Sequence, residues 1–377
     1  MKKIQMVDVV SQYMRYECEI NNKILNVVKS GAYIQGAEVK DFEFSLSQYL
    51  KSKYVISCAN GTDALYVALM SLNLKEGDEV IVPTFTFVST VEVVCLLGLK
   101  PVFIDVDKDT FLMDPYLIEK HISNKTRAII PVHLFGQCCD MYSINLMAKK
   151  YNLFIIEDAA QSIGAQCVFS NSSQDRIFSG TIGDIGITSF YPSKNLGCFG
   201  DGGAIFTQNN KLSETIRLIV NHGQKKKYSY DIVGLNSRLD ALQAAVLSVK
   251  LQYLDLFNQE RQRVANYYDK VFSDIEWIKI PSQSTGSDHV YHQYSILLSS
   301  DINRNNFSNY LLKNDIPTMI YYPKPLHLQK AYSSFCNESL PISEMLSDSI
   351  ISLPIHSEMN VEQLEFICST IKKYVES

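Results

Sequence analysis

The sequence predicts an α/β protein: a large, mostly parallel sheet with helices on both faces, followed by a smaller α+β C-terminal domain. Three observations carry this expectation. Short apolar runs bounded by turn residues alternate with helical patterns from about residue 53 to residue 158, as repeated βαβ units require. After Trp277 the alternation stops and the texture becomes that of a mixed layer. The chain of 377 residues is also long for a single hydrophobic core. The expected division is a large domain over 1–250, including the N-terminal segment, and a small one over 251–377.

Each element has its own local reason. Residues 1–50 mix polar and apolar positions as helices do, with turns at Ser30-Gly31 and Gln35-Gly36. A buried strand is expected at 53–59, turning at Asn60-Gly61 into a helix over 62–72. Strand 79–83, helix 89–97 and strand 101–106 follow. Asp114 and Pro115 are a good cap and first-turn pair for a helix over 114–122. Strands at 128–134 and 153–158 enclose a helix over 141–151. Two further strands, 184–190 and 203–207, flank a glycine-rich stretch. No Gly or Pro interrupts 237–272, which predicts one long helix bridging the domains. Beyond it, strands are expected at 289–298 and 317–322, and helices at 305–312 and 361–374. In parallel sheets of this kind ligands bind at the carboxyl ends of the strands.

Composition excludes several classes of function. Hydrophobic residues make up 46% and charged residues 20%, with a net charge of −5; this argues against a nucleic-acid-binding surface. The one basic run, 225–227, reads as a solvated loop. The apolar stretches are too short to span a membrane, and residues 1–8 lack the apolar run of a signal peptide. Nine cysteines are scattered without a C-x-x-C spacing, which suits a reduced, cytoplasmic protein. The seven histidines show no metal-ligand spacing, so no metal site is expected.

Four clusters at strand ends could carry chemistry, and each has two open readings. Gly61 and Thr62, in the turn 59–64, could cradle an anion at a helix start or form an ordinary cap. Phe87, in 83–89, could stack on a planar ring or belong to the core. Glu157 and Asp158 end an apolar strand, where a carboxylate needs a positive partner, a pyridinium nitrogen for instance, or several hydrogen bonds. Lys194 lies among apolar, aromatic and glycine residues. It is either a surface lysine in a turn or an amine of lowered pKa fit for a Schiff base. Together they supply what pyridoxal 5'-phosphate needs: a phosphate cradle, a stacking ring, an acid and a lysine.

The chain resembles, nearly end to end, the DegT/DnrJ/StrS family of pyridoxal-phosphate-dependent nucleotide-sugar aminotransferases. The match is carried by 59–65 (Ala-Asn-Gly-Thr-Asp-Ala-Leu), 83–90 (Pro-Thr-Phe-Thr-Phe-Val-Ser-Thr) and 157–162 (Glu-Asp-Ala-Ala-Gln-Ser). It continues through 189–197 (Ser-Phe-Tyr-Pro-Ser-Lys-Asn-Leu-Gly), 200–204 (Gly-Asp-Gly-Gly-Ala) and 236–245 (Asn-Ser-Arg-Leu-Asp-Ala-Leu-Gln-Ala-Ala). The resemblance implies an aspartate-aminotransferase-like fold, fold type I, acting as a homodimer. It implies that Lys194 carries the cofactor, Asp158 faces the ring nitrogen, Gln161 bonds the ring hydroxyl and Phe87 stacks on the ring. Thr62, Ser189 and the backbone of Gly61 and Asp63 would hold the phosphate, and Asn236 would reach the phosphate in the neighbouring subunit. Arg238 becomes a candidate for the carboxylate of glutamate, the family's usual amino donor. Segment 321–329 matches a sugar-pocket segment, with Tyr321, Tyr322 and His327 as candidate sugar contacts.

The implied acceptor is a keto-sugar on a nucleotide diphosphate, destined for surface polysaccharide. Segments 57–65, 136–140 and 221–224 look closest to enzymes that aminate C3 of UDP-2-acetamido-2-deoxy-3-oxo-hexuronate. Tyr321 and 325–329 look more like enzymes for 3-keto-6-deoxy sugars on dTDP, and a dTDP-3-keto- or 4-keto-6-deoxyhexose is the alternative acceptor. Lys194 argues against a dehydratase on the same fold, in which histidine replaces the lysine. Lys194, Asp158 and Gln161 together argue against a non-catalytic regulator. Residues 169–178 are longer and more polar than the family norm and read as a surface loop.

Overall fold

The computed structural model describes residues 2–169 and 176–374. Three helices open the chain: α1 (Val9–Arg15), α2 (Glu17–Ser30) and α3 (Ala37–Leu50). Gly31 closes α2 at φ +68°, a left-handed conformation that glycine adopts without a steric penalty. On α3, Val39, Phe42, Leu46 and Leu50 are buried; their spacing of three and four lines one stripe of the helix.

The alternation then runs as the sequence predicts. It comprises β1 (Tyr54–Cys58), α4 (Gly61–Ser71), β2 (Glu79–Pro83), α5 (Ser89–Leu96), β3 (Lys100–Ile104), α6 (Pro115–Ile118), β4 (Thr126–Ile129), α7 (Met141–Tyr151) and β5 (Phe154–Asp158). A short antiparallel hairpin follows, β6 (Gln166–Val168) with β7 (Arg176–Phe178). The polar loop expected over 169–178 lies mostly outside the described residues, and its last three residues are β7. Then β8 (Ile185–Ser189) and β9 (Gly203–Thr207) complete a seven-stranded sheet of order β1-β9-β8-β5-β4-β2-β3.

Only β9 runs against its neighbours; β8, β5, β4, β2 and β3 pair in parallel. One edge of the sheet therefore collects the carboxyl ends of six strands and the start of the seventh. Asn60, Thr84, Asp158 and Ser189 all fall at that edge, which is where the sequence clusters lie. Close packing fixes the centre of the sheet. A Cβ on Gly186 of β8 would lie 1.8 Å from the Gly180 carbonyl oxygen.

The next elements are α8 (Asn210–Ile219), a hairpin of β10 (Gln224–Lys226) and β11 (Ser229–Tyr230), α9 (Ala241–Leu251) and α10 (Leu254–Phe272). Two expectations are corrected here. The basic run 225–227 begins in a hairpin strand rather than lying in a plain loop. The single helix expected over 237–272 starts at Ala241 and is broken at Gln252 and Tyr253, where Tyr253 packs its ring 4.1 Å from that of Tyr16. The break lets α9 pack Ala244 and Ala245 beside Phe42 and Leu46 in one core, while α10 sends Val264, Tyr268 and Phe272 into another.

That second core belongs to the C-terminal layer: β12 (Ile278–Lys279), β13 (Tyr294–Leu298), α11 (Arg304–Lys313), α12 (Pro341–Ser349), β14 (Ile350–Leu353) and α13 (Val361–Lys372). The three strands form an antiparallel sheet, packed on Phe307, Leu364 and Ile367. Ile4 from the other end of the chain joins this core. Residues 317–322 form no strand: Met319 makes a single bridge to Ser352. The strand expected from 289 starts only at Tyr294, because 289–293 instead runs along the carboxyl edge of the large sheet, with His289 bridged to Gln137. Among the described residues no helix is long and apolar enough to cross a membrane.

Gly186→Ala is expected to lower unfolding stability by about 3 kcal/mol or more, the upper range for overpacking a filled interior. Urea denaturation of the variant against the parent measures this; an unchanged midpoint would mean that the sheet centre is not packed as described.

Candidate active site

A cavity of about 860 Å³ opens at the carboxyl edge of the sheet. The turn after β1 supplies Asn60, Gly61, Thr62 and Asp63, and the segment after β2 supplies Thr86, Phe87 and Ser89. Asp158 and Gln161 enter from the end of β5, Ser189 from the end of β8, and Lys194 from the loop between β8 and β9. The small layer closes the wall with His292, Gln293, Tyr321 and Tyr322.

Lys194 is the only lysine or arginine among the described residues lining this cavity. Burial pushes its ammonium down to about 8, while the Asp158 carboxylate acts in the opposite sense. Lys250 is the other lysine held near 8, also by burial. Its Nζ, however, donates to the Gly197 carbonyl at 2.8 Å and sits over the Phe199 ring. Lys250 therefore serves packing, and Lys194 is the amine presented to a ligand.

The two acids ending β5 divide their work because successive strand residues point to opposite faces. Glu157 is fully buried and accepts from the backbone N–H groups of Gly180, Ile182 and Gly183 at 2.9, 2.6 and 2.6 Å. His133 Nε2 donates to the same carboxylate at 2.9 Å, its Nδ1 being occupied by the Cys139 N–H. Glu157 is thus a satisfied structural anion. Asp158 is 6% exposed; Thr90 Oγ1 donates to its Oδ2 at 3.1 Å and the Ala160 N–H to its Oδ1 at 3.1 Å. Burial raises its pKa above the usual carboxylate value, against those two donors and Lys194. A cation or an N–H⁺ placed in the cavity would relieve that cost.

The helix start of α4 is built for an anion. Asn60 caps it by accepting from the Asp63 N–H at 2.8 Å. The first N–H groups, of Gly61 and Thr62, have no carbonyl one turn earlier to bond. A Cβ on Gly61 would lie 2.7 Å from the Ser189 Cβ, so only glycine lets the helix start approach the end of β8. Thr62 Oγ1 and Ser89 Oγ share a hydrogen bond of 2.6 Å. One expectation is corrected: the backbone of Asp63 is committed to the cap, which leaves Gly61 and Thr62 as the free backbone donors.

Gln161 is oriented by its neighbours. Its Oε1 accepts from the Phe135 N–H at 2.8 Å and its Nε2 donates to Tyr322 Oη at 3.2 Å. The amide thus presents its second N–H to the cavity side as a donor. Phe135 holds this arrangement at φ +59°, a strained conformation for a residue with a side chain. Phe87 is 54% exposed and lies 6.3 Å, centroid to centroid, from Tyr322, so its face is available for stacking rather than spent in the core.

Three expected residues are not in the cavity. His327 is 1% exposed; its Nδ1 pairs with Thr84 Oγ1 at 2.8 Å and its Nε2 with Glu344 at 3.2 Å. With both nitrogens engaged, it clamps the end of β2 to the small layer and offers nothing to a sugar. Asn236 is exposed and bridges Asn221. Arg238 lines a second cavity of about 620 Å³ with Lys40, Arg217 and Lys225. Its Nη1 reaches Asn221 Oδ1 at 3.5 Å and its Nε has no partner among the described residues. Sequence reasoning missed Ser89, His292 and Gln293. Ser89 stands within a quoted motif and was open to discovery, whereas nothing near 292–293 marks a site residue.

A lysine of lowered pKa, a buried aspartate and a glycine at a helix start share one cavity on a mostly parallel sheet with a small α+β layer, the arrangement expected of an aminotransferase of fold type I. The chain belongs to the DegT/DnrJ/EryC1/StrS aminotransferase family, whose profile matches residues 15–372. It is 41% identical over 98% of its length, and 99% of the relative's, to a UDP-2-acetamido-2-deoxy-3-oxo-D-glucuronate aminotransferase of Pseudomonas aeruginosa. It is 43% identical, with coverage of 98% and 99%, to a dTDP-3-amino-3,6-dideoxy-alpha-D-galactopyranose transaminase of Aneurinibacillus thermoaerophilus. The crystal structure of S. venezuelae DesV in complex with a ketimine intermediate superposes with a TM-score of 0.94 at 34% identity, covering 100% of both chains. The protein is a nucleotide-sugar aminotransferase.

The lowered pKa of Lys194 sets a pH test. Only the neutral amine reacts with an electrophile, so in the cofactor-free protein reductive methylation of Lys194 is expected to rise with pH with its half-rise near about 8. Exposed lysines should keep rising toward about 10.4. A half-rise for Lys194 near that higher value, read peptide by peptide in a mass spectrometer, would contradict the burial described.

Proposed function

We propose that this chain uses pyridoxal 5'-phosphate to move the amino group of glutamate to C3 of a keto-sugar carried on a nucleoside diphosphate. The carrying observation is Lys194, neutral-prone and opposite Asp158, in a cavity whose helix start admits no side chain at Gly61. The donor set fits the cofactor. Gly61, Thr62 and Ser189 would hold the phosphate, Asp158 the ring nitrogen, Gln161 Nε2 the ring hydroxyl, and Phe87 the ring face. When bound, the cofactor supplies an electron sink that lets an amino group leave one carbon and join another. Lys194 would hold the cofactor, and its amine would be the base placed to move a proton at the substrate carbon. Asp158 keeps its charge beside a cation, and the cavity walls exclude bulk water.

The position on the sugar follows the two relatives, one named for a 3-oxo sugar and the other for a 3-amino sugar. A UDP-2-acetamido-2-deoxy-3-oxo-hexuronate is the first reading. The second, a dTDP-linked keto 6-deoxyhexose, is favoured by Tyr321 in the cavity wall and by the 43% relative. A uronate needs a cation besides Lys194, and the cavity wall of one chain holds none among the described residues.

A homodimer supplies what one chain leaves out. Asn236 and Arg238 sit outside their own cavity, and large apolar side chains stand uncovered, among them Tyr191 in the cavity wall at 56%, Ile34 at 48% and Val233 at 83% exposure. A second copy covering them would bring Asn236 to the neighbour's phosphate and Arg238 to the carboxylate of glutamate or a uronate. The setting this implies is cytoplasmic synthesis of surface polysaccharide such as O-antigen.

The purified protein is expected to be yellow, to bleach with glutamate and to recover with a keto-acid. Of the nucleotide sugars assayed, UDP-3-oxo-hexuronate should turn over faster than dTDP-3-keto or dTDP-4-keto 6-deoxyhexoses; the reverse order would select the second reading. Lys194→Ala should cut turnover at least about a thousandfold while the dimer persists in light scattering. A colourless protein that pyridoxal phosphate cannot restore would sink the enzyme reading and leave a regulator on this fold.

A further inference from the structure

Lys194 is followed by Asn195, which is 3% exposed and takes no part in the cavity wall. Its Nδ2 donates to Asn258 Oδ1 at 2.7 Å and to the Val290 carbonyl at 2.9 Å. Asn258, on α10 and 5% exposed, donates in turn to the Ile163 carbonyl at 3.2 Å. Two buried amides thus tie together the lysine loop, the turn after β5, α10 and the segment leading into β13.

The same segments are joined by a second route. The Gln161 side chain accepts from the Phe135 N–H, the Phe135 carbonyl accepts from the Gln293 N–H at 3.3 Å, and the Gly136 carbonyl accepts from the Val290 N–H at 2.8 Å. Hydrogen bonds and the short stretches of chain between them therefore close a ring: Asn195 to Asn258, to Ile163, two residues along from Gln161, to Phe135 and Gly136, to Val290 and back to Asn195. Two glycines at positive φ let the ring close. A Cβ on Gly136 (φ +117°) would lie 2.8 Å from the Tyr291 nitrogen, and one on Gly164 (φ +88°) 2.5 Å from Asn258 Nδ2.

The pair is a costly way to fill space. Among the described residues Asn195 Oδ1 is buried without a partner, and an orphaned amide oxygen disfavours the folded state. Apolar residues of the same size would avoid that cost. What the amides add is direction: each bond fixes one segment relative to another, and two of those segments carry Lys194 and Gln161.

We propose that Asn195 and Asn258 are positioning residues for aminotransfer, fixing the lysine loop against Gln161 and the 290–293 segment so that the Lys194 amine meets its reaction partner in one geometry. The proposal rests on Lys194 being the cofactor-bearing lysine. Small misplacements of a reacting group, on the order of 1 Å, cost about a hundredfold in rate. Losing either amide leaves the chemistry of Lys194 intact but frees its loop.

Asn195→Ala, Asn258→Ala and the double variant, each as full-length holoprotein, test this. The readouts are the pH titration of the visible cofactor band and steady-state kinetics with glutamate. Each single variant should shift the titration midpoint by at least about half a unit and lower kcat about tenfold or more, with KM for glutamate within about threefold. The double variant should be no worse than the poorer single one, because residues of one network are not additive. Asn195→Ser, which keeps a shorter donor, should lie between parent and alanine variant, and it decides the matter should the alanine variants fail to fold. Variants that melt earlier but keep the parental titration and kcat would overturn the positioning role. A parent protein without the band would refute the reading of Lys194, and the proposal with it.

Discussion

An amine kept close to neutrality depends on being taken out of water without being given a strong partner. Lys194 meets that condition. It lines a cavity, faces Asp158 across it, and has no carbonyl to donate to among the described residues, whereas Lys250 has one. Asp158 is held in place by groups other than Lys194. Asp158 takes Thr90 and the Ala160 N–H, and the strand that carries it is locked by Glu157, whose carboxylate gathers four donors. A buried acid with its donors satisfied stabilises the frame, and the acid beside it is left for a ligand.

The sheet converts that local arrangement into a site. Parallel strands deliver their carboxyl ends to one edge, so residues far apart in sequence, Gly61, Phe87, Asp158 and Ser189, converge without long loops. Close backbone contacts at Gly61 and Gly186 set the spacing. The C-terminal layer then closes the open side with Tyr321, Tyr322, His292 and Gln293, and the strained Phe135 joins the two halves through Gln161.

Much of this was legible in the sequence because it follows from local rules. Strand ends followed by polar turns marked Gly61, Thr62 and Asp158, and an isolated lysine among glycines marked Lys194; the family resemblance assigned their roles. What was not legible depends on tertiary contacts. A helix pattern that contains no Gly or Pro is interrupted at Tyr253, whose ring packs on the distant Tyr16. His327 follows a motif yet turns inward to Thr84 and Glu344. Asn60 takes the Asp63 N–H that an anion was expected to use. His292, Gln293 and Asn258 sit in segments without any motif, and only the fold brings them beside Lys194 or its loop.

The central claim is that Lys194, and no other lysine, is the amine that holds the cofactor. Borohydride reduction of the purified protein, followed by digestion and mass spectrometry, tests it directly. The phosphopyridoxyl mass is expected on the peptide carrying Lys194 alone. Its appearance on Lys250, or on no lysine at all, would contradict the assignment.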